Sequence, residues 1–144
     1  MRKRIFVDTN VIISGTFFKG NESKLISLED VDLYTSDLVI EEVKDVAMRK
    51  FKSLKIEDKR IALMEIERSL VDFEVIIKEK DYKKSIGKAK NLIRKEKDSK
   101  ILAAVLTIKP DFFVTGDKDF HSFKVKQLVP VRYTKEVLKD LGVK

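Results

Sequence analysis

The sequence predicts an α/β fold with a mostly parallel central sheet. Short continuous apolar runs alternate along the chain with longer segments whose apolar residues recur at helical spacing. The runs lack the alternation of half-exposed strands, which is typical of strands buried on both faces of a parallel sheet. Most runs stop at a residue that can begin a turn or cap a helix, as expected when helices connect parallel strands.

The first strand is predicted over residues 5–7, because this apolar run follows a basic start and stops at Asp8. The Asp8 side chain can accept a hydrogen bond from the first turn of a helix, so a helix is predicted directly after it. A second short helix is predicted over residues 23–28. The next apolar run predicts a strand over residues 33–35.

The middle of the chain is predicted to be mainly helical. Ser36 or Asp37 can cap a helix with valines at helical spacing, and residues 56–70 form another amphipathic helix. Residues 73–77 predict a strand. After it, one helical stripe indicates a single helix whose inward-facing residues are Tyr82, Ile86, Ala89 and Ile93.

The last third of the chain is predicted to contain two strands and two helices. Asp98 opens a helix that ends before Pro110, since the residue preceding a proline avoids the helical conformation. Residues 112–114 predict a buried strand. Residues 128–131 predict an edge strand, because their proline cannot donate to a ladder. A terminal helix is predicted from a cap at Thr134.

The composition predicts one folded domain over residues 1–144, because 43% hydrophobic residues suffice for a core at this length. The absence of cysteine excludes disulfides and thiolate metal sites, and a single histidine excludes a histidine-rich zinc site. That residue, His121, is expected to be a plain surface histidine. No apolar run approaches the roughly 18 residues that span a bilayer, so we expect a cytoplasmic protein without a membrane segment.

The formal net charge of +7 favours a polyanionic partner through counterion release, but a charge of this size equally suits a solvated surface. Lysine and glutamate are abundant and cysteine is absent, which is a composition typical of thermophile proteins.

Five carboxylates fall where predicted strands end or predicted helices begin. They are Asp8, Glu42, Asp98, Asp117 and Asp119. Because the carboxyl ends of parallel strands share one edge of a sheet, these side chains are predicted to converge there. Each acid taken alone could have a purely structural role as a helix cap, a turn former or a solvated charge.

Several carboxylates at one place repel each other and raise each other's pKa unless a cation lies between them. Mg²⁺ and Mn²⁺ prefer such oxygen ligands, and either ion can activate water for attack on phosphorus. The sequence contains neither a nucleophilic cysteine nor a glycine-rich phosphate loop that would indicate another chemistry. Clustered acids on a basic chain therefore predict metal-dependent phosphoester cleavage, with RNA as the expected substrate.

Four segments carry a resemblance to the PIN-domain family, namely residues 5–13, 40–43, 98–104 and 113–120. The resemblance implies a three-layer α/β/α sandwich and an endoribonuclease that uses one or two Mg²⁺ or Mn²⁺ ions. It also implies a homodimer. Many PIN proteins of this length are toxins of toxin–antitoxin pairs, so an antitoxin protein is an implied partner.

Carried over by position, the resemblance implies an acidic quartet with a fifth catalytic acid: Asp8, Glu42, Asp98, Asp117 and Asp119. The implied metal ligands among them are Asp8, Asp98, Asp117 and Asp119. Asn10 and Thr115 match polar residues that orient these ligands in the family. Glu42 is preferred to Glu41 because the aliphatic Val43 follows it.

Two alternatives remain open. One is a catalytically silent RNA-binding or scaffold domain, which would bind its partner without cleaving it. The other is a phosphatase of the haloacid-dehalogenase type, which the motif Asp8-Thr9-Asn10 partly resembles. That family needs an aspartate as general acid where Asn10 stands, and an asparagine side chain cannot do this.

Basic residues are concentrated between residues 78 and 97. On the predicted helix, Lys83, Lys90 and Arg94 share one flank, which could guide RNA phosphates towards Asp98. A solvated helix face is the alternative interpretation.

Overall fold

Five parallel strands form the central sheet, in the order β3-β2-β1-β4-β5, in the part of the chain that the structure describes. The structure is a computed structural model and describes residues 2–50 and 56–144. The predicted α/β sandwich is confirmed, and its sheet is entirely parallel. The strands are β1 (Lys3–Val7), β2 (Val31–Ser36), β3 (Val75–Ile77), β4 (Phe112–Val114) and β5 (Val131–Arg132).

Helices occupy most of the connections between the strands. In the described ranges they are α1 (Thr9–Phe17), α2 (Asn21–Ile26), α3 (Asp37–Lys50), α4 (Ile56–Leu70), α5 (Glu79–Tyr82), α6 (Ile86–Lys90), α7 (Glu96–Ile108), α8 (Phe123–Lys126) and α9 (Thr134–Asp140). Two short 3₁₀ turns span Lys83–Ser85 and Lys118–His121. None of the helices that the structure describes is long and apolar enough to span a lipid bilayer.

The centre of the core lies at β1, whose residues Ile5, Phe6 and Val7 are fully buried. The strand has β2 on one side and β4 on the other, and the Phe6 ring packs edge-on against Phe113 with centroids 5.5 Å apart. Burial of each such side chain contributes roughly 1.5–3 kcal/mol. Because both faces of this strand are buried, its apolar run is continuous rather than alternating.

Arg4 fixes the position of α7 relative to the sheet. Its guanidinium donates to the carbonyls of Ile108 and Lys109 at 2.9 and 3.1 Å, so the end of α7 lies beside the start of β1. The 13 residues of α7 span roughly 20 Å at 1.5 Å per residue, slightly more than the length of β1. The start of α7, with Asp98, therefore reaches the opposite, carboxyl edge of the sheet.

The single helix predicted through Tyr82 and Ile93 is wrong. The chain instead forms α5, a 3₁₀ turn, α6 and an irregular segment before α7. Gly87 lowers helix propensity, while hydrogen bonds from Tyr82 to Asp37 and between Ser85 and Thr107 hold the broken segment against other helices. The predicted inward-facing residues still point into the protein, because three of them are buried and one is half-buried: Tyr82, Ala89, Ile93 and Ile86.

The last strand begins later than predicted, and the last helix begins one residue earlier. Only Val131–Arg132 pair with β4, and β5 is an edge strand as the proline indicated. Thr134 is the first residue of α9 rather than its cap. The cap is Tyr133, whose backbone N–H donates to the Glu136 carboxylate at 2.9 Å.

Candidate active site

The predicted acidic residues meet at the carboxyl edge of the sheet, beside the ends of β1 and β4. The chain leaves β1 towards β2, whereas β4 lies on the other side of β1, so the winding direction reverses between β1 and β4. In open α/β sheets such a reversal leaves a crevice that binds ligands. Asp8 follows β1 directly, and Thr115 and Asp117 follow β4.

Three carboxylates form the exposed part of the site. Asp98, Asp117 and Asp119 each offer one oxygen within 4.8 Å of the other two. Asp98 is half-buried at the start of α7, and its Oδ2 atom has no hydrogen-bond partner in the described parts of the chain. A buried carboxylate oxygen without a donor is costly, so this atom favours an additional cation or donor.

Asp117 is held in place from both sides. Its backbone N–H donates to the Thr115 hydroxyl at 3.0 Å, and its Oδ1 atom accepts the backbone N–H of Asp119 at 2.9 Å. The turn after β4 therefore sets the positions of two carboxylates through local hydrogen bonds. Thr115 itself is fully buried.

Asp8 lies beneath these three acids rather than among them. Its side chain is only 4% exposed, and both oxygens are occupied. Oδ1 accepts the Thr9 backbone N–H at 2.8 Å, as a helix cap does, and Oδ2 accepts the Thr115 hydroxyl at 2.6 Å. Thr115 thus connects Asp8 to Asp117.

Glu42, and not Glu41, faces the site. The Glu42 carboxylate accepts the hydroxyl of Thr9 and forms an ion pair with Lys97 at 3.4 Å. Glu41 is exposed, and its charge acts on Tyr82 instead. The hydroxyl of Thr9 therefore joins Glu42 to the end of β1.

Burial, with a smaller contribution from neighbouring acids, raises the pKa of Asp8 and Asp98. Burial raises the pKa of Asp8 to about 6, against the opposing effect of its hydrogen bonds with Thr115 and Thr9, and the charges of Glu42 and Asp117 add to the increase. The pKa of Asp98 is also raised, first by burial and then by the charge of Asp117. Ionised at neutral pH, these groups repel each other, so a bound cation would relieve repulsion.

Two lysines partly offset this negative charge. Lys95 contacts Asp119 at 3.0 Å, and Lys97 contacts Glu42 at 3.4 Å. Both side chains are more than half exposed, at 73% and 54%, so these pairs are weak and exchangeable. The basic residues predicted from the sequence to guide RNA are Lys83, Lys90 and Arg94 instead. All three are exposed, but the broken helix does not carry them along one flank to the site.

Two polar residues named with the acids lie in different environments. Thr115 bonds both Asp8 and the turn of Asp117. Asn10 is exposed, and among the residues described its side chain makes no hydrogen bond to any of the acids. It lines a cavity beside the site.

The expectation of a plain surface histidine is wrong. His121 is half-buried, its Nε2 atom lies 2.7 Å from the Thr115 carbonyl oxygen, and its ring stacks on Tyr133 at 3.8 Å. This histidine therefore packs directly behind the turn that carries Asp117.

Sequence reasoning missed Thr9, Lys95, Lys97 and Tyr133 as residues of this region. Thr9 was named only as part of the motif Asp8-Thr9-Asn10, without a role of its own in the site. The two lysines flank Glu96 just before Asp98 in the sequence, and that proximity was the available signal. Nothing in the sequence pairs Tyr133 with His121.

The donor set fits a hard divalent cation. It consists of carboxylate oxygens without sulfur or imidazole ligands, which suits Mg²⁺ or Mn²⁺ better than zinc. The buried Asp98 oxygen without a donor, and the contribution of neighbouring acids to the raised pKa of Asp8 and Asp98, are consistent with uncompensated negative charge.

The family model described as PIN domain matches residues 4–119, which include every acid of the site. The chain belongs to the PIN-domain family. Proteins of this family are generally nucleases, and they usually use divalent metal ions. The match also removes the haloacid-dehalogenase-type phosphatase as an alternative.

A solved structure supports the same fold. The PIN domain is similar to a chain in the crystal structure of VapBC2 from Rickettsia felis bound to a DNA fragment from their promoter. The TM-score is 0.68 at 17% identity, with 90% of this chain and 98% of that chain covered. No curated protein sequence matches the chain.

Proposed function

We propose that this PIN domain is a metal-dependent endoribonuclease that hydrolyses RNA phosphodiester bonds. The observation that carries the proposal is the group formed by Asp98, Asp117 and Asp119, whose oxygens lie within 4.8 Å of each other beside an unpaired Asp98 oxygen. The hydrogen bond within the Asp117 turn and the exposed Lys95 pair do not account for three carboxylates this close together. The group supports one or two bound Mg²⁺ or Mn²⁺ ions.

Each acid has a distinct role in this proposal. Asp98, Asp117 and Asp119 hold the metal, which when bound supplies Lewis-acid activation of water and neutralises phosphate charge. Asp8 acts mainly as a positioning residue, because both of its oxygens are engaged and one fixes Thr115. Glu42, held by Thr9, faces the site from α3 and can orient a water molecule.

A metal titration with labelled single-stranded RNA tests this function. We expect cleavage in Mn²⁺ or Mg²⁺, none in excess chelator, and recovery when metal is restored. A DNA strand of the same sequence tests the preference for RNA. Tight binding without cleavage at any metal concentration would instead favour the catalytically silent RNA-binding domain.

The lysines beside the acids are proposed to contact the phosphates that flank the cleaved bond. Lys95 and Lys97 form only weak ion pairs with Asp119 and Glu42, so both side chains are free to exchange to a phosphate group. Both lysines shortly precede Asp98 in the chain and contact acids of the site, where a phosphate backbone would need positive charge. The predicted track through Lys83, Lys90 and Arg94 stays a prediction that the same assay tests.

The double variant Lys95→Gln/Lys97→Gln is expected to bind single-stranded RNA more weakly and with less salt dependence. Two lost phosphate contacts reduce the slope of log affinity against log salt by roughly 1.4. The measurement is fluorescence anisotropy across a salt series, with Ca²⁺ in place of the active metal. The matched comparison is the triple neutralisation of Lys83, Lys90 and Arg94. An unchanged slope in the double variant would refute the assignment.

An antitoxin partner and a homodimer are further parts of the proposal. The PIN-family membership and the likeness to a VapBC2 chain support a toxin of a toxin–antitoxin pair. Growth arrest on expression, relieved by a protein encoded next to this chain, tests the toxin role. Sedimentation of the purified protein tests the dimer.

A further inference from the structure

A cavity of about 260 Å³ opens beside the acidic site and has no part in the metal chemistry proposed above. Its walls come from α1, the start of α2, the turn after β4 and the start of α9. The residues that matter for its chemistry are Asn10, Asn21, Glu22, Gly116, Tyr133 and Lys135.

The cavity borders the acidic site at the turn after β4, where Gly116 precedes Asp117. Gly116 lines the cavity and stands between Thr115, which bonds Asp8, and Asp117. A Cβ atom at Gly116 would meet nothing within 4 Å, so the space beside this turn is open. Asn10 lines the cavity two residues after Asp8. A group in the cavity would therefore be adjacent to a phosphate at the acids.

Tyr133 gives the cavity a rigid aromatic surface. Its backbone N–H is held by Glu136, and one ring face is covered by His121, which is parallel to it within 6° at 3.8 Å. Tyr133 remains 40% exposed, so the opposite face and the ring edge are what it offers to a ligand. His121 is itself fixed against the Thr115 carbonyl. Because the ring is already fixed, a base that stacks on it costs the protein little conformational entropy.

The polar groups of the cavity suit the edge of a nucleobase. The side chains of Asn10 and Asn21 make no hydrogen bond to any other described residue, and each amide offers donors and an acceptor. The carboxylate of the half-buried Glu22 can only accept hydrogen bonds, whereas the ammonium group of Lys135 can only donate them. Amide side chains pair with base edges, and unpaired RNA bases are recognised by this combination of stacking and edge contacts.

The volume of the cavity suits a single base. At about 260 Å³ it is smaller than the roughly 300–1,000 Å³ of pockets for drug-sized ligands. One base fits, whereas a duplex does not.

We propose that this cavity binds one unpaired base of the RNA strand, next to the cleaved phosphate, and so sets the sequence preference of the nuclease. Tyr133 is the stacking surface, and Asn10 and Asn21 read the base edge. The inference rests on the proposed ribonuclease function and adds a specificity site to it. It also assigns Asn10 to substrate recognition rather than to the orientation of metal ligands.

The test measures binding of four labelled homo-oligonucleotides of RNA in Ca²⁺, and then cleavage of a randomised single-stranded RNA pool in Mn²⁺. We expect Tyr133→Leu to weaken binding of the preferred oligonucleotide about tenfold, the loss of one stacked base. Tyr133→Phe should keep wild-type affinity. Asn10→Ala and Asn21→Ala should flatten the differences among the four oligonucleotides and broaden the cleaved sequences.

Matched controls separate recognition from folding. Phe18→Leu removes an exposed aromatic at the far end of α1, and Asn91→Ala removes an asparagine outside the cavity, so both should behave like wild type. A general loss of stability would weaken all four oligonucleotides equally and would lower the melting temperature. Unchanged affinity and unchanged base preference in Tyr133→Leu and Asn10→Ala would overturn the proposal.

The outcomes also separate this inference from the proposed function. Metal-dependent cleavage with no effect of the cavity variants would reject the base site alone. Base-selective binding that depends on Tyr133, without cleavage in any metal, would reject the nuclease and keep the site.

Discussion

Replacing Asp117 with asparagine is expected to reduce RNA cleavage on the order of a thousandfold or more while the protein stays folded. The substitution removes one charge from the three carboxylates that lie within 4.8 Å of each other. Metal ions contribute several kcal/mol of transition-state stabilisation, and each 1.36 kcal/mol corresponds to a tenfold change in rate. An asparagine amide is a weaker ligand and leaves the ion incompletely neutralised.

The fold should survive this change because asparagine preserves the local hydrogen bonds. Its Oδ1 atom can still accept the Asp119 N–H, and the bond from its backbone to Thr115 does not involve the side chain. The measurement is single-turnover cleavage in Mn²⁺ together with a thermal melt. Asp72→Asn is the matched control, since Asp72 is exposed in the turn before β3, at the other edge of the sheet. Turnover near the wild-type rate would contradict the metal site.

The acidic cluster was predictable because its positions follow from the topology. A continuous apolar run predicts a strand buried on both faces, and parallel strands end at one edge, so residues such as Asp8 and Asp117 must approach each other. The capping preference of aspartate also located the start of α1 correctly. These rules concern neighbouring residues only, and the parallel sheet then brings the ends of the strands together in space.

The contacts that could not be predicted join residues far apart in sequence. Tyr82 and Asp37 are 45 positions apart, and Ser85 and Thr107 are 22 apart, yet their hydrogen bonds hold the broken segment after β3 against other helices. The same holds for the stack of His121 on Tyr133, which shapes the cavity. Helical periodicity identified the buried face of that segment but not its breaks, because the same stripe suits one long helix or several short pieces.

The roles within the cluster also required the structure. In sequence, Asp8 and Asp98 both precede a helix and look equivalent as ligands. In the protein, Asp8 has two donors on its oxygens, whereas Asp98 keeps a buried oxygen without one. Asp8 therefore fixes the groups that donate to it, whereas Asp98 needs a further hydrogen-bond donor or a cation.

Replacing Asp8 with asparagine is expected to stabilise the metal-free protein at neutral pH. Burial raises the pKa of Asp8 from 3.8 to about 6 in the folded state, so folding favours its protonated form. Below about pH 4, Asp8 is protonated in both the folded and the unfolded state, and its contribution to the free energy of unfolding is fully present. Between about pH 4 and 6 only the unfolded state loses the proton, so stability falls as pH rises, by about 3 kcal/mol in total. Above pH 6 the loss is complete.

Asparagine has no proton to lose, so the stability difference between Asp8→Asn and wild type should grow by about 3 kcal/mol from pH 4 to pH 7. This difference is insensitive to a fixed change in hydrogen bonding with Thr115 or Thr9. Denaturant unfolding in chelator at both pH values measures it, with Asp72→Asn as the control. A difference that does not change with pH would show that Asp8 titrates normally.

Saturating Mg²⁺ should shrink the advantage of the variant at neutral pH. A cation bound at the neighbouring acids stabilises ionised Asp8, and its binding free energy stabilises the folded state. The variant has no ionised Asp8 to stabilise and binds the cation more weakly, so metal stabilises it less than it stabilises the wild type. The same substitution should therefore raise the melting temperature in chelator and lose that advantage in metal. Burial and repulsion together give the variant its advantage in chelator. Loss of that advantage in metal is the sign expected of carboxylates gathered to hold a cation, because a buried carboxylate that serves only as a helix cap would not respond to metal.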